Sequence, residues 1–162
     1  MPSIFMNYST DSACPYHRLL LPARHCSDKV GEMGGEVYVA EGIPHGHDVY
    51  FFHGLANQDG ILEFQKLKRK GAKFVWSIDD DWTTIPEWNP AKPNEAGLAA
   101  YDLLASMADW ILTSTPHLAT TFSRFGHRVL CAPNMLDLGM FPDQPYVEEP
   151  DGKGGIRRNY SF

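Results

Sequence analysis

Three consecutive carboxylates, Asp79, Asp80 and Asp81, follow the apolar run KFVWSI at residues 73–78. Neighbouring carboxylates repel one another, and such a cluster suits general-base chemistry or the binding of ligand hydroxyl groups. If strand alternation continues through them, Asp79 and Asp81 project to one side and Asp80 to the other. In the structural alternative, one aspartate caps a turn and the others are solvated. We favour a functional role, because a buried strand has no structural need of three acids at its tip.

The loop that follows the aspartates carries Trp82 and Trp88, and either ring offers an apolar platform beside a bound ligand. The loop continues to Pro93 and is longer than the roughly 2–6 residues usual for such a connection. Long loops of this kind are often functional, which supports a ligand site here.

Histidines lie near both ends of the apolar run DVYFFH, whose last residue is His53. An imidazole at the end of a strand can act as a base or contact a sugar, and a hydrogen bond to a loop carbonyl is an equally good interpretation. His45 and His47 precede the same run and therefore belong to the opposite edge. Because no third ligand is near them in sequence, a solvent-exposed turn is favoured over a metal site.

The segment TSTPHL indicates the start of a helix. Ser114 or Thr115 supplies the capping side chain, and Pro116 suits the first turn. Such a helix start can also receive an anion, but capping alone explains the residues.

The elements that must position these side chains alternate along the chain. Apolar runs indicate six strands covered on both faces: 3–7, 36–40, 48–53, 73–78, 110–114 and 128–132. Helices are predicted between them at 15–26, with Pro22 as a kink or a division, and at 58–71, 94–108 and 115–126. This alternation predicts a Rossmann-like, doubly wound α/β fold with a mostly parallel sheet and helices on both faces. Ligands bind such sheets beyond the carboxyl ends of the strands, where the aspartates and His53 lie.

Several classes of function are disfavoured by the composition. The net charge of −6 argues against non-specific nucleic-acid binding, and no apolar stretch reaches the length of a membrane span. The glycines of GEMGG precede a strand, so they do not form a dinucleotide-binding loop. Three widely spaced cysteines and an amino terminus without signal-peptide features indicate a cytoplasmic protein.

Residues 137–162 are rich in Pro, Gly and acids, and we interpret them as a linker after a domain spanning 1–136.

Four segments in this order resemble the amino-terminal domain of a GT-B glycosyltransferase: YHRLLLPAR, FVWSIDDDWTTIPEWNP, ADWILTSTPHLATTFSRFG and VLCAPNMLDLGMF. The likeness is to the bacterial and phage group whose strand ends in an I-D-D-D motif, and it covers roughly residues 3–142. The chain departs from that group in lacking a glycine-rich loop after the first strand and in having Met135 where many relatives have glycine.

The resemblance implies an enzyme that transfers a sugar from a nucleotide-sugar to an unknown acceptor, with this domain holding the acceptor. It implies no metal and no cofactor beyond that co-substrate. The GGIRRNYSF segment is similar to the opening strand of the donor domain, so a partner domain or a homo-oligomer is expected. By position, the implied catalytic residues are Asp79, Asp80, Asp81 and His53, and the implied substrate-binding residues are Tyr16, Arg18, Trp82, Ser114 and Asn134.

Two other functions fit part of the pattern. Asp79 and Asp81 could form the metal-binding D-x-D of a GT-A glycosyltransferase, although the later STPHL and PNMLD segments have no place in that fold. A single domain of this kind could also be a non-catalytic binding module.

Overall fold

The computed structural model describes residues 2–7, 16–54, 58–126, 128–134, 147–150 and 156–159. The strands are β1 (Ser3–Asn7), β2 (Glu36–Ala40), β3 (Val49–His53), β4 (Lys73–Ile78), β5 (Trp110–Thr113), β6 (Arg128–Cys131), β7 (Val147–Pro150) and β8 (Ile156–Asn159). The α-helices are α1 (Leu21–Glu32), α2 (Gln58–Arg69), α3 (Glu95–Met107) and α4 (Pro116–Phe122). A π-helical turn at Tyr16–Leu20 leads into α1, and a 3₁₀ turn at Ser123–Phe125 follows α4.

Six strands form one parallel sheet in the order β2-β1-β3-β4-β5-β6. The order reverses beside β1, so the switch point lies between β1 and β3. The predicted Rossmann-like α/β fold is confirmed, and each strand predicted in this sheet is present with its ends within about one residue.

Capping residues fix the helix ends close to where the sequence predicts them. The side chain of Asn94 accepts a hydrogen bond from the Gly97 amide at the start of α3, and Thr115 does the same for Leu118 at the start of α4. Gly126 ends the turn after α4 with φ of +66°, a conformation that suits glycine. Pro22 lies in the first turn of α1, where its missing N–H costs nothing, and α1 continues beyond Cys26 to Glu32.

Aromatic side chains fill the core between the sheet and α2, α3 and α4. Phe64 of α2 stacks on Phe74 of β4 with ring centroids 4.5 Å apart, and Trp76 meets Tyr101 of α3 edge-on at 5.2 Å. Burial of each such side chain contributes roughly 1.5–3 kcal/mol. Helical periodicity predicts that Ile61, Leu62, Phe64 and Leu67 lie roughly on one side of α2. Three of them are buried as predicted, but Leu62 is 48% exposed.

The opposite face of the sheet carries the polar cluster described below. Ser77 alternates with the core residues Trp76 and Ile78, so it lies on the other side of β4. Arg18 hydrogen-bonds to Ser77, which places the π-helical turn on that side as well. Helical segments therefore cover both faces of the sheet, as predicted.

The chain after residue 136, predicted to be a linker, contains two described strands. β7 and β8 pair antiparallel with each other in a separate two-stranded sheet. No helix among the described residues is long and apolar enough to cross a membrane.

Candidate functional site

The carboxyl ends of β3, β4, β5 and β6 bring several of the predicted site residues to one edge of the sheet. His53 ends β3, Asp79 directly follows β4, and Asn134 follows β6. Because parallel strands all point the same way, these side chains converge although they are distant in sequence. His53 also lies beside the switch point, where such folds bind their ligands.

Arg18 lies at the centre of this edge and is 3% exposed. Its Nε donates to Ser77 Oγ at 3.0 Å and is 3.2 Å from Asp79 Oδ1. Its Nη1 donates to the Ala132 carbonyl and, at 3.3 Å, to Asn134 Oδ1. Its Nη2 donates to the Leu112 carbonyl at 3.2 Å. The guanidinium thus ties together the ends of three neighbouring strands.

A buried charge of this kind is stable only when it is paired and hydrogen-bonded, and each of the three guanidinium nitrogens has at least one described hydrogen-bond acceptor. Planar arginine suits the task because its fork of N–H groups reaches several acceptors at once. The resemblance implies that Arg18 binds substrate, and the structure places it beneath the edge, 3% exposed and hydrogen-bonded to three strand ends. This position suits Arg18 to hold its neighbours in place, and a contact with substrate stays a prediction.

Ser77 links Arg18 to His53, and sequence reasoning missed it. Its Oγ lies 3.2 Å from His53 Nδ1, and the residue is fully buried. A serine hydroxyl has two lone pairs, so it can accept from Arg18 Nε–H and from His53 Nδ1–H together. That tautomer leaves the lone pair of His53 on Nε2, as a general base requires. The signal in the sequence was a single polar residue inside the otherwise apolar run KFVWSI.

The surroundings of His53 lower its pKa below the ordinary value of 6.5. Burial is the largest cause, since it disfavours the charged imidazolium. Asp79 acts in the opposite direction, Arg18 in the same direction as burial, and the burial effect prevails. His53 is therefore neutral at pH 7, the state in which it can accept a proton.

The three aspartates have three different environments. Asp79 is largely buried and ion-paired with Arg18, but neither of its carboxylate oxygens has a well-aligned hydrogen-bond donor among the described residues. Asp80 is exposed, and its carbonyl faces the Tyr101 hydroxyl at 3.4 Å. Asp81 accepts from the Thr83 amide at 3.1 Å, which closes a turn.

Asp81 therefore caps a turn, as the structural alternative predicts for one of the aspartates. Asp79 neither caps a turn nor lies in solvent. The expected alternation fails because β4 ends at Ile78, and the backbone turns before Asp81. Asp79 pairs with a cation while Asp81 folds back on its own loop, so the described contacts do not unite them as a D-x-D pair.

The two loop tryptophans differ in exposure. Trp82 packs partly buried against the core, and its Nε1 is buried without a partner among the described residues. Trp88 is 82% exposed. Its neighbours are held by turns, since the Asn89 amide donates to the Pro86 carbonyl at 3.0 Å and Asn89 Oδ1 accepts from the Ala91 amide at 2.9 Å. Trp88 is therefore the better platform for a ligand.

Two predicted site residues remain, Ser114 and Tyr16. Ser114 follows β5 at the same edge and is half-buried, while Thr115 provides the helix cap. Tyr16 begins the turn that carries Arg18, but its side chain lies outside the described residues, as do residues 8–15.

Within the described ranges, no group of three or more His, Cys, Asp or Glu side chains is arranged to hold a metal ion. No family model matches the sequence, and no curated protein is significantly similar to it.

Proposed function

We propose that this domain is the acceptor-binding half of a nucleotide-sugar-dependent glycosyltransferase of the GT-B type. The observation that carries the proposal is the placement of neutral His53 and buried Asp79 at one sheet edge, joined through Ser77 and Arg18. The fold is compatible with the amino-terminal half of a GT-B enzyme, and the order of the four sequence segments is that of the resemblance.

His53 would serve as the general base. An acceptor hydroxyl oxygen attacks the anomeric carbon of the donor sugar, the bond to the nucleoside diphosphate breaks, and the hydroxyl proton passes to His53 Nε2. With its proton on Nδ1, His53 would donate to Ser77 Oγ, 3.2 Å away, and this contact would hold the imidazole in the required tautomer. The resulting imidazolium is stabilised by the nearby Asp79 and Asp80 carboxylates.

Asp79 would orient the acceptor. Its oxygens are acceptors without aligned donors among the described residues, and leaving such a group unsatisfied costs about 1–3 kcal/mol. A sugar hydroxyl that reached Asp79 would remove that cost. Trp88, exposed on the same loop, offers a flat apolar face against which the ring of a sugar can pack.

Titration calorimetry against a panel of mono- and oligosaccharides and nucleotide-sugars tests the binding step. We expect saccharides to bind and the variants Asp79→Asn and Trp88→Ala to weaken them by roughly tenfold, equivalent to about 1.4 kcal/mol. Asp28→Asn, an exposed position on α1, is the matched control and should bind like the unaltered chain. Absence of binding by every saccharide would contradict the proposal.

A second assay tests the chemistry, with release of nucleoside diphosphate followed in the presence of a bound saccharide and a donor panel. If transfer occurs, His53→Gln should lower its rate by roughly 10²–10⁴-fold with little effect on saccharide affinity. Saccharide binding without transfer from any donor would instead favour the non-catalytic binding module.

A further inference from the structure

A cavity lies at the amino-terminal edge of the sheet, opposite the cluster around Arg18. It has a volume of about 560 Å³ and lies between the turn that begins at His45 and the turn from Leu67 to Lys73. Small-molecule sites commonly measure roughly 300–1,000 Å³, so the size suits a ligand. The sequence motif HGH, which the proposed function leaves unexplained, forms one wall.

His47 in that wall is held by aromatic rings rather than by hydrogen bonds. Its imidazole stacks on Phe5 at a centroid distance of 5.3 Å and also contacts Tyr38 at 4.9 Å and Tyr50 at 5.9 Å. Its Nδ1 is buried and has no hydrogen-bond partner among the described residues. The expected solvent-exposed turn is therefore found for His45 alone, which is 56% exposed. A buried nitrogen without a hydrogen-bond partner is unfavourable, and an acceptor brought by a ligand would satisfy it.

The charged groups at this edge are predominantly basic, although the whole chain carries a net charge of −6. Lys70 and Lys73 line the cavity together with Asp48. Asp48 is engaged by the Ser3 amide at 2.8 Å. Nearby, Asp109 is shared between Lys68 and Lys73, and Glu63 between His45 and Lys66. Three of the four lysines are themselves the partners of these carboxylates, so the four lysines exceed the three carboxylates by one positive charge.

Helix-dipole compensation does not account for all of these lysines. It explains those in the last turn of α2, where cations offset the partial negative charge of the carbonyls. Lys73 lies in β4, however, and its side chain is 66% exposed. The α2 carbonyls are also satisfied by the turn, since the Ala72 amide donates to Leu67 at 3.1 Å and the Gly71 amide to Lys68 at 2.9 Å. An anion in the cavity therefore meets cations rather than free carbonyls.

We propose that this cavity binds a small phosphate-bearing molecule, with Lys70 and Lys73 supplying the positive charge and His47 Nδ1–H donating one hydrogen bond. Charge-assisted hydrogen bonds of this type are among the stronger polar contacts. The site is independent of the proposed glycosyltransferase function, because it shares no residue with the carboxyl-terminal edge.

Amide NMR of the ¹⁵N-labelled chain, titrated with inorganic phosphate and with methyl phosphate, tests the site. Sodium chloride at matched ionic strength serves as the reference. We expect saturable shifts at Gly46, His47, Lys70 and Gly71 that chloride does not reproduce. The double variant Lys70→Met/Lys73→Met should weaken binding by about tenfold or more. His47→Phe keeps the ring stacking, removes the nitrogen and should weaken binding by about threefold or more.

The matched control is Lys29→Met/Lys92→Met, which removes two positive charges elsewhere and should bind phosphate like the unaltered chain. Dispersed spectra establish that each variant is folded. Shifts that follow ionic strength alone, or binding that survives either the lysine double variant or His47→Phe, would overturn the proposal.

Discussion

Arg18 is the residue on which the candidate site most depends. The sequence places it in the predicted helix at 15–26, and nothing in its local pattern indicates that it would be buried. Its partners are contributed by segments as far away as Asn134, so its role exists only after the sheet has formed. This is why the sequence predicts its place at the edge but not its burial.

Replacement of Arg18 by methionine should lower the free energy of unfolding by about 3–5 kcal/mol, because it leaves Asp79 buried without its cation. Urea unfolding followed by circular dichroism measures this change. Arg124→Met is the matched control: Arg124 makes an exposed ion pair with Asp102 at 3.5 Å, so its loss should cost about 0–1 kcal/mol.

A double-mutant cycle separates the ion pair from simple packing. In the Asp79→Asn background, Arg18→Met should lower the free energy of unfolding by less than it does in the unaltered chain, because no charge is then left unpaired. Equal costs in the two backgrounds would show that the ion pair contributes nothing specific.

His53 should make stability depend on pH in a defined direction. Its folded pKa lies below the unfolded value of 6.5, so the unfolded chain takes up the proton first. Stability should therefore fall as pH drops through about 6.5 toward the folded pKa and then become independent of this group. His53→Gln should abolish this part of the pH dependence of stability, whereas His117→Gln, at an exposed helix position, should leave it unchanged. Parallel stability curves for the unaltered chain and His53→Gln from pH 8 to 5 would contradict this account.

At the scale of the elements, sequence reasoning succeeded where the signals were local. Continuous apolar runs gave the six parallel strands, and Asn94, Thr115, Gly71 and Gly126 marked helix ends. It failed where a neighbouring element decides the outcome: Leu62 is exposed although it is apolar, and Asp81 turns away after β4 ends. The long-range contacts that bury Ser77 and leave His47 among aromatic rings have no short-range signature.

Thr115 should be the cap of α4, and Ser114 should not. Thr115 Oγ1 accepts from the Leu118 amide at 3.2 Å, so Thr115→Ala should cost about 1 kcal/mol of unfolding free energy. Ser114 makes no capping contact among the described residues, so Ser114→Ala should change the free energy of unfolding by less than about 0.5 kcal/mol. Chemical denaturation of both variants compares them directly. A larger loss for Ser114→Ala would reassign the cap.

Asp109 joins three elements at the amino-terminal edge of the sheet. It accepts from Lys68 at 2.9 Å, from the Phe74 amide at 2.9 Å and from Lys73 at 3.3 Å. Partial burial alone would raise the pKa of Asp109, but these hydrogen bonds prevail and lower it below 3.8. The carboxylate therefore stabilises the fold above about pH 4, and this contribution is lost as pH falls through the folded pKa.

Asp109→Asn should reduce the free energy of unfolding by about 1–2 kcal/mol at pH 7, because it removes the charge from three hydrogen bonds. The difference from the unaltered chain should shrink on acidification below about pH 4, where the native aspartate also becomes neutral. Urea titrations at pH 7 and pH 3 measure both values. A difference that is unchanged at pH 3 would show that the charge of Asp109 is irrelevant.

At the scale of the whole molecule, the two edges of the sheet have opposite chemical character. The carboxyl-terminal edge presents Asp79, Asp80, His53 and an exposed Trp88, while the amino-terminal edge presents lysines around His47. The first combination suits a neutral ligand rich in hydroxyl groups, and the second suits an anion. The parallel sheet predicts that a functional edge exists and which end it occupies, but the ligand can be inferred only from the side chains that the fold assembles there.

Amide NMR of the ¹⁵N-labelled chain during a saccharide titration would show whether the carboxyl-terminal edge binds a saccharide. We expect saturable shifts at His53, at residues 79–81 and at the Trp88 indole, with none at residues 45–50 or 70–73. Asp79→Asn should reduce these shifts at the same saccharide concentration. Saccharide-dependent shifts located away from this edge, or no shifts with any saccharide tested, would contradict this expectation.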